Sequence, residues 1–134
     1  MEKSVFTKVI DGELPGYIIS ETDDVVALLS LEGHPLVVPR HPYPDIYALD
    51  DEIAAQLMQE TVRIARAVQE VTGCDGLNIV QSNGAVAGQD VFHFHIHIKP
   101  RFAGDGIVFS WDVTTRPDSE RSDLAKALRK QLES

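Results

Sequence analysis

The chain has 134 residues, of which 43% are apolar and 25% are charged, so it is long enough for a core and too apolar for a disordered segment. Its formal net charge of −9 argues against general binding to nucleic acid, which depends on cationic side chains that neutralise phosphates. Its single cysteine excludes an internal disulfide, and no apolar run is long enough for a signal peptide or a membrane span. We therefore expect one domain over residues 1–134 in the cytoplasm, with neither a nucleic-acid nor a membrane partner.

The first third of the sequence predicts a short helix and three strands. Ser4 begins the helix as its cap, and Gly12 and Pro15 end it. Its apolar face comprises Val5, Phe6, Val9 and Ile10. Strand-like runs follow at Tyr17–Ser20, Val25–Leu31 and His34–Pro39. Gly33 marks a hairpin between the last two runs.

The remainder of the sequence predicts a long helix, two more strands and a final helix. Asp50 or Asp51 caps the long helix, and Gly73 ends it. Its apolar positions at helical spacing are Ile53, Leu57, Ile64, Val68 and Val71. The two strands are Leu77–Gln81 and Val91–Lys99, joined by a glycine-rich turn at Ser82–Gly88, and the final helix runs from about Ser119 to Leu132. These elements predict an α+β fold, with a mostly antiparallel five-stranded sheet, a long helix and terminal helices.

Three of the five histidines alternate with apolar residues in the last predicted strand. Because successive strand side chains point to opposite faces, His93, His95 and His97 are expected to share one face. The residues expected to share the other face and to enter the core are Phe92, Phe94, Ile96 and Ile98. Three imidazoles in a row are costly to bury unless a polar partner or a ligand uses them. The pattern therefore points to a site.

Three interpretations of this cluster are open from the residues alone. The histidines lie on a solvated surface, or they bind a metal, or they perform nucleophilic and phosphate-binding chemistry. A separation of about 13 Å between His93 and His97 along a strand weighs against one metal held by all three. An adjacent pair would need further ligands, such as His34 or His41. The third interpretation is favoured, because an imidazole attacks phosphorus well when its second nitrogen is hydrogen-bonded.

The turn before the histidines strengthens the phosphate interpretation. Asn83–Asp90 contains two glycines, which let backbone N–H groups approach phosphate oxygens closely. Arg40, Lys99 and Arg101 lie near the histidines in the sequence. We therefore expect locally basic surroundings for one small phosphate ligand, although the chain as a whole is acidic.

These motifs resemble those of the histidine-triad superfamily, whose signature is His-φ-His-φ-His-φ-φ with φ an apolar residue. His93–Lys99 is similar to that signature. Val5–Pro15 is similar to the opening helix of the superfamily, Gly33–His41 to its hairpin strand, and residues 82–101 to its active-site stretch. The resemblance implies a homodimer whose sheet continues across the interface. It also implies cleavage of a nucleoside monophosphate, commonly AMP, from an amine, a phosphate, a nucleotide or a sugar phosphate.

The resemblance implies roles for individual residues. His95 would attack the α-phosphorus and carry the nucleotidyl group, with its second nitrogen held by the carbonyl of His93. His97 would bind phosphate oxygens, and His34 would sit beside the nucleophile and support its hydrogen bonding. Gln89 would contact the phosphoryl group and the leaving side. The other residues implied to bind the nucleotide are Phe6, Val9, Leu28, Ser30, Leu31, Asn83, Gly88 and Asp90; of these, Asn83 would orient either the loop or the phosphate.

The sequence departs from the superfamily pattern at three places. Ser30 stands where many members carry an aspartate that accepts the ribose hydroxyls. Asp90 stands where many members carry a serine or threonine that helps the leaving group; it either caps the turn in solvent or faces the leaving group. Ser4 and Thr7 replace a cysteine pair that binds zinc in some bacterial members together with two histidines, which His41 and His93 match here. We therefore expect no bound metal and no other cofactor.

The resulting expectation is a nucleotide hydrolase that forms a nucleotidyl–His95 intermediate and acts on phosphoramidates or dinucleoside polyphosphates. The alternative is a nucleotide-binding regulatory protein with little turnover, because the departures at Ser30 and Asp90 change residues that would handle the substrate. Trapping of the intermediate separates the two, since a pure binding protein does not form it.

Overall fold

The computed structural model describes residues 2–134, which form a five-stranded antiparallel sheet flanked by helices. The elements are α1 (Val5–Ile10), β1 (Ile18–Glu21), β2 (Val25–Leu29), β3 (Pro35–Pro39), α2 (Asp51–Thr72), β4 (Gly76–Val80), β5 (Ile96–Arg101) and α3 (Asp118–Leu132). Short 3-10 turns occupy Ile46–Ala48 and Ala85–Ala87. The strand order across the sheet is β1-β2-β3-β5-β4. The predicted α+β fold with an antiparallel five-stranded sheet is confirmed.

The ends of the first two helices form where the sequence predicts them. The Ser4 hydroxyl accepts a hydrogen bond from the Thr7 N–H at 3.1 Å and so caps α1. The Asp50 carboxylate accepts one from the Ile53 N–H at 2.9 Å and caps α2. Gly73 ends α2 in the left-handed conformation, with a φ of 65°.

The sheet buries a different apolar cluster on each face, because strand side chains alternate. The face under α2 carries Val25, Ala27, Val37, Ile96 and Ile98, together with Phe94. The 22-residue helix α2 covers this cluster with Leu57, Ile64 and Val68. The other face carries Val26, Leu28, Leu36 and Val38, and Phe6 of α1 packs against it. Because α1 has only six residues, part of this second face stays uncovered.

The chain after residue 102 packs little of its apolar surface. No residue of α3 is buried. Its predicted apolar stripe, Leu124, Leu128 and Leu132, is 61%, 55% and 85% exposed. The segment before it exposes Trp111 and Val113 as well. None of the helices in residues 2–134 combines the length and the apolar character that crossing a membrane requires.

The strand predicted over Val91–Lys99 is wrong in its first half. β5 begins at Ile96. Its neighbour β3 ends at Pro39, and two further prolines follow by residue 44, so the chain there lacks the N–H groups that would continue a ladder. Phe92, predicted to enter the core, is 57% exposed. The other strands differ from their predicted bounds by one or two residues at an end.

Candidate active site

A cleft of about 860 Å³ lies on the sheet face that α1 leaves partly uncovered. Its walls come from α1, the chain that follows it, the end of β2 with its turn, and the segment that carries the histidines. Eight of the residues predicted to bind nucleotide line this cleft: Phe6, Val9, Leu28, Ser30, Leu31, Asp90, His95 and His97. Leu31 lies at the rim and is fully exposed.

His95 is held through one ring nitrogen and directs the other toward the cleft. Its Nδ1 lies 2.7 Å from the carbonyl oxygen of His93, as the resemblance implies. Because a carbonyl only accepts, Nδ1 carries the proton, and in the neutral ring Nε2 keeps its lone pair. The carboxylate of Asp90, a cleft residue, lies 3.6 Å from this Nε2. His95 is only 6% exposed, so its surroundings fix the orientation of the ring.

His93 is fully buried and hydrogen-bonded at both ring nitrogens. Its Nε2 donates to the Pro39 carbonyl at 2.7 Å, which leaves Nδ1 to accept a proton from the Ser4 hydroxyl. Burial lowers the pKa of His93 below its usual value, in agreement with a neutral ring. Phe6 packs edge-on against His93 and His95, with ring centroids 5.6 and 4.9 Å away. These contacts exclude the interpretation of solvated surface histidines.

His97 and His34 form a hydrogen-bonded pair next to the nucleophile. His97 Nδ1 lies 2.9 Å from His34 Nε2, and His34 Nδ1 lies 3.2 Å from the Ser30 hydroxyl. Burial, and then the nearby charge of His95, lowers the pKa of His97 to about 4. Burial also lowers the pKa of His34. His34, expected beside His95, contacts His97 instead, because the pairing of Leu36 with His97 aligns the start of β3 with that ring.

Gln89 holds the glycine-rich turn together. Its amide nitrogen donates to the carbonyls of Pro44 and Val91, at 2.6 and 3.0 Å, and its amide oxygen accepts from the Gly84 N–H at 2.8 Å. An amide has two N–H donors, so none is left for a phosphate oxygen in this arrangement. The structure thus shows a loop-positioning role, and a contact of Gln89 with the phosphoryl group would require one of these bonds to break.

Asn83 and Gly88 shape the backbone and lie outside the cleft lining. The Asn83 side-chain oxygen accepts a hydrogen bond from the Ile46 N–H at 2.7 Å. Of the two roles predicted for Asn83, orienting the loop or orienting the phosphate, this contact fits the first. Gly88 ends a short 3-10 turn with a φ of 99°, a conformation that favours glycine. The chain then brings Asp90 and Val91 to the cleft, where their N–H groups donate no hydrogen bond within residues 2–134.

The basic surroundings expected for the histidines are absent from the lining of the cleft described here. Arg40 and Arg101 are each paired with a carboxylate, at 3.0 and 2.8 Å, which holds them elsewhere. Lys99 also lies outside the lining. The charged residues of the cleft are instead two acids, Glu32 and Asp90. The prediction from sequence proximity failed because the ion pairs that a long cationic side chain forms decide where its charge lies.

Sequence reasoning missed residues 14–17 and Glu32, which also line the cleft. Pro15 was predicted only to end α1, and Gly16 was given no role. Gly16 lies so close to Val9 that a Cβ there would be 2.5 Å from a Val9 methyl group, which lets the chain turn tightly against α1. Glu32 could have been predicted from the sequence, because it lies two residues before the candidate histidine His34. Its carboxylate lies 3.7 Å from Nδ1 of His34.

Three of the four residues that the resemblance matches to a zinc site, Ser4, Thr7 and His93, form a hydrogen-bonded cluster in this chain. The hydroxyls of Ser4 and Thr7 lie 3.1 Å apart, and Ser4 also contacts His93. His41, at the fourth position, packs against Tyr43. Within residues 2–134, no group of three or more His, Cys, Asp or Glu side chains is arranged to hold a metal ion. Absence of zinc from the protein stays a prediction; one zinc per chain in elemental analysis of untagged protein would contradict it.

Comparisons with known proteins identify the family. The HIT domain family model matches residues 11–104. Protein hit of Bacillus subtilis (strain 168) is 38% identical over 128 residues, covering 92% of this chain and 88% of that protein. A crystal structure of a HIT family member from Bacillus subtilis matches with a TM-score of 0.92 and 33% identity, covering 99% of both chains. The chain belongs to the HIT family.

Two relatives carry names that state an activity. Adenylylsulfatase HINT3 of Arabidopsis thaliana is 33% identical over 135 residues, covering 96% of this chain and 68% of that protein. Adenosine 5'-monophosphoramidase HNT1 of Saccharomyces cerevisiae is 30% identical over 134 residues, covering 96% of this chain and 82% of that protein. The family therefore includes hydrolases that act on adenylyl compounds.

Proposed function

We propose that the protein is a hydrolase that releases a nucleoside monophosphate, AMP, from a leaving group through a nucleotidyl–His95 intermediate. The observation that carries the proposal is the 2.7 Å contact between His95 Nδ1 and the His93 carbonyl. It leaves the Nε2 lone pair facing the cleft, and a hydrogen-bonded second nitrogen is what activates an imidazole as a nucleophile. The named activities of HINT3 and HNT1 support the same class of reaction.

The reaction has two displacements at the α-phosphorus. First, His95 Nε2 forms a bond to phosphorus, the bond from phosphorus to the leaving atom breaks, and the leaving atom takes up a proton. Second, water attacks the same phosphorus, the bond to Nε2 breaks and the monophosphate departs. The proton that water loses balances the one taken up by the leaving group. His95 returns to its starting state, with Nδ1 still donating to the carbonyl of His93.

The negative charge on the phosphoryl oxygens is stabilised by uncharged donors. The Ser30 hydroxyl accepts a hydrogen bond from the His34 backbone N–H at 3.2 Å and donates one to His34 Nδ1. His34 Nε2 then donates to His97 Nδ1, which leaves a proton on His97 Nε2 for a phosphoryl oxygen. The free N–H groups of Asp90 and Val91 are further donors of the type that stabilises a developing anion.

The nucleoside lies against the apolar part of the cleft. Phe6, Val9, Leu28 and Leu31 provide this surface, and Ser30 adjoins it. The cleft volume of about 860 Å³ falls in the usual range for sites that hold a small molecule. Both phosphoramidates and dinucleoside polyphosphates contain the adenylyl group that this surface and the histidines would bind, so both are candidate substrates.

Steady-state hydrolysis by paired variants tests the proposed function. The His95→Asn variant removes the nucleophile while keeping a side chain that fits the buried position, so turnover of an adenosine phosphoramidate should fall by at least about a thousandfold. His41→Asn is the matched control, because His41 is exposed and lies outside the cleft. Retention of more than about a tenth of the wild-type turnover in His95→Asn would contradict the assignment.

We further propose that the protein works as a homodimer in the cytoplasm. β4 is an edge strand, and an exposed edge can extend a sheet into a second copy. Beside it, Ile79 of β4 and Met58 of α2 are 47% and 57% exposed. Light scattering should give about 30 kDa, twice the 14.8 kDa of the chain. A mass of one chain at micromolar concentration would contradict the dimer.

A further inference from the structure

Two carboxylates flank the row of histidines in the cleft. Asp90 lies 3.6 Å from Nε2 of His95, the atom that would attack phosphorus. Glu32 lies 3.7 Å from Nδ1 of His34, at the far end of the His97–His34 pair. The two side chains are 82% and 75% exposed, so neither acid is shielded from the solvent through which substrates enter. Approaching groups therefore meet negative charge at both ends of the row.

No cationic side chain in the cleft lining offsets these acids. Asp90 makes no other ion pair or side-chain hydrogen bond within residues 2–134, so its exposed carboxylate makes no contact that caps the turn. Lys99 is the one lysine or arginine whose charge lowers the pKa of both His34 and His97, and it lies outside the lining. Because Asp90 lies beside the atom that would attack phosphorus, a substrate reaches Nε2, and its leaving group departs, through an acidic mouth.

We propose that Asp90 is a specificity-determining residue that selects leaving groups bearing a positive charge. This inference rests on the proposed function, and it narrows its substrate class. Adenylylated amines that carry a second, cationic group are preferred over uncharged amines. Leaving groups that carry further phosphates or carboxylates are disfavoured. Dinucleoside polyphosphates are therefore poor substrates compared with phosphoramidates of diamines or of cationic side chains.

The size of the effect follows from the distances. We expect an added charge on the leaving group to lie within about 10 Å of Asp90, partly in solvent, where a unit charge pair changes the rate by roughly three- to tenfold. Replacing a cationic tail by an anionic one changes the sign of that interaction, so the difference between them is roughly 10- to 100-fold. Salt at about 0.5 M should reduce this difference, because the groups are exposed.

The experiment uses three adenosine 5'-phosphoramidates of propylamine, which differ only at the far end of the tail. One tail ends in a methyl group, one in an ammonium and one in a phosphate. The measured quantity is the ratio of kcat/KM for the ammonium and phosphate tails in the whole protein. We expect a ratio of about 10–100 for the wild type and a fall of about tenfold in Asp90→Asn. Glu32→Gln should lower the ratio less, since Glu32 adjoins His34 rather than the attacking nitrogen.

Asp23→Asn is the matched control. It removes the same charge at an exposed turn, on the end of the β1–β2 hairpin away from the cleft, and it should leave the ratio unchanged. An unchanged ratio in Asp90→Asn would overturn the inference. A slowing that affects all three amides equally would also overturn it, because it would make Asp90 a proton donor or a support for the backbone.

Failure of the proposed function gives a different result. If the wild type hydrolyses none of the three amides and forms no nucleotidyl adduct, then both the proposed function and the inference fall. If the wild type hydrolyses the methyl-tailed amide through His95 but Asp90→Asn discriminates between the tails as well as the wild type does, only the inference falls.

Discussion

The two faces of the sheet differ in what covers them, and the difference locates the candidate active site. On one face the 22-residue helix α2 covers a continuous apolar cluster that includes Leu57 and Ile98, each at most 1% exposed. On the other face the six-residue helix α1 covers only part of the apolar surface. The uncovered part adjoins a cleft lined by His95 and His97. One face stabilises the fold, and the other leaves room for a ligand.

The contrast is sharpest along β5, where neighbouring residues serve opposite faces. His97 lies in the cleft and pairs with His34, whereas Ile98 is fully buried under α2. Adjacent residues of β5 therefore have different expected roles: His97 in catalysis and Ile98 in stabilising the fold. Substitutions at these two positions should have separable effects.

Of the three changes that test the separation of the two faces, His97→Ala on the cleft side should have the largest effect. The change removes the proposed donor to the phosphoryl oxygens, and loss of one such donor typically slows turnover by roughly 10²–10³. The urea midpoint should stay near that of the wild type, because His97 contributes no apolar contact to the core under α2. Hydrolysis of an adenosine phosphoramidate and urea unfolding provide the two readouts. A greater loss of turnover than in His95→Asn would show that the two histidines have the opposite roles.

An effect of intermediate size is expected from acid. Unfolded histidines take up protons below a pH of about 6.5, whereas folded His97 does so only below about 4. Between these values the unfolded state binds more protons, so the free energy of unfolding falls as the pH falls through this window. Titration of His97 should account for roughly 1–2 kcal/mol of this fall in the free energy of unfolding. This figure already includes a reduction for the partial exposure of the ring to solvent. His34 and His93 add to it in the same direction, since their pKa values are also lowered.

Urea midpoints measured across that pH window test the contribution of His97. The urea midpoint should change less steeply with pH in His97→Asn than in the wild type, because the variant lacks the imidazole that titrates. His41→Asn is the control for removal of an exposed histidine. Equal slopes in the wild type and in His97→Asn would contradict the account of a neutral, desolvated ring.

The smallest effect is expected from Ile98→Val on the α2 side. Loss of one buried methylene should reduce the free energy of unfolding by about 0.5–1.5 kcal/mol. Turnover at 25 °C should stay within about twofold, because the side chain faces away from the cleft. A tenfold loss of turnover with unchanged stability would break the separation of the two faces.

Much of this division could be predicted from the sequence. The alternation over residues 93–98 correctly assigned Phe94, Ile96 and Ile98 to the core. The caps at Ser4 and Asp50 and the end of α2 at Gly73 also follow from local rules that need no tertiary contacts. The HIT signature then identified the family. Such features lie within a few residues of one another, which is why a single sequence reveals them.

Features that depend on long-range pairing could not be predicted in this way. Residues 91–95 alternate like a strand, but their neighbour β3 has already ended at Pro39. The contact of His34 with His97 depends on the register between β3 and β5. The acidic lining depends on Arg40 and Arg101 being paired elsewhere. In each case the deciding partner lies far away in the sequence.

The most direct test of the central claim is to locate the nucleotidyl group after a single turnover. Wild-type protein is mixed with an adenosine phosphoramidate, quenched in base within milliseconds and digested for mass spectrometry, with phosphorus NMR of the intact adduct. The account predicts one adenylyl group on His95, bonded to Nε2, because Nδ1 is occupied by the His93 carbonyl. An adduct on His97, His34 or Nδ1 of His95, or turnover with no adduct at any time, would contradict it.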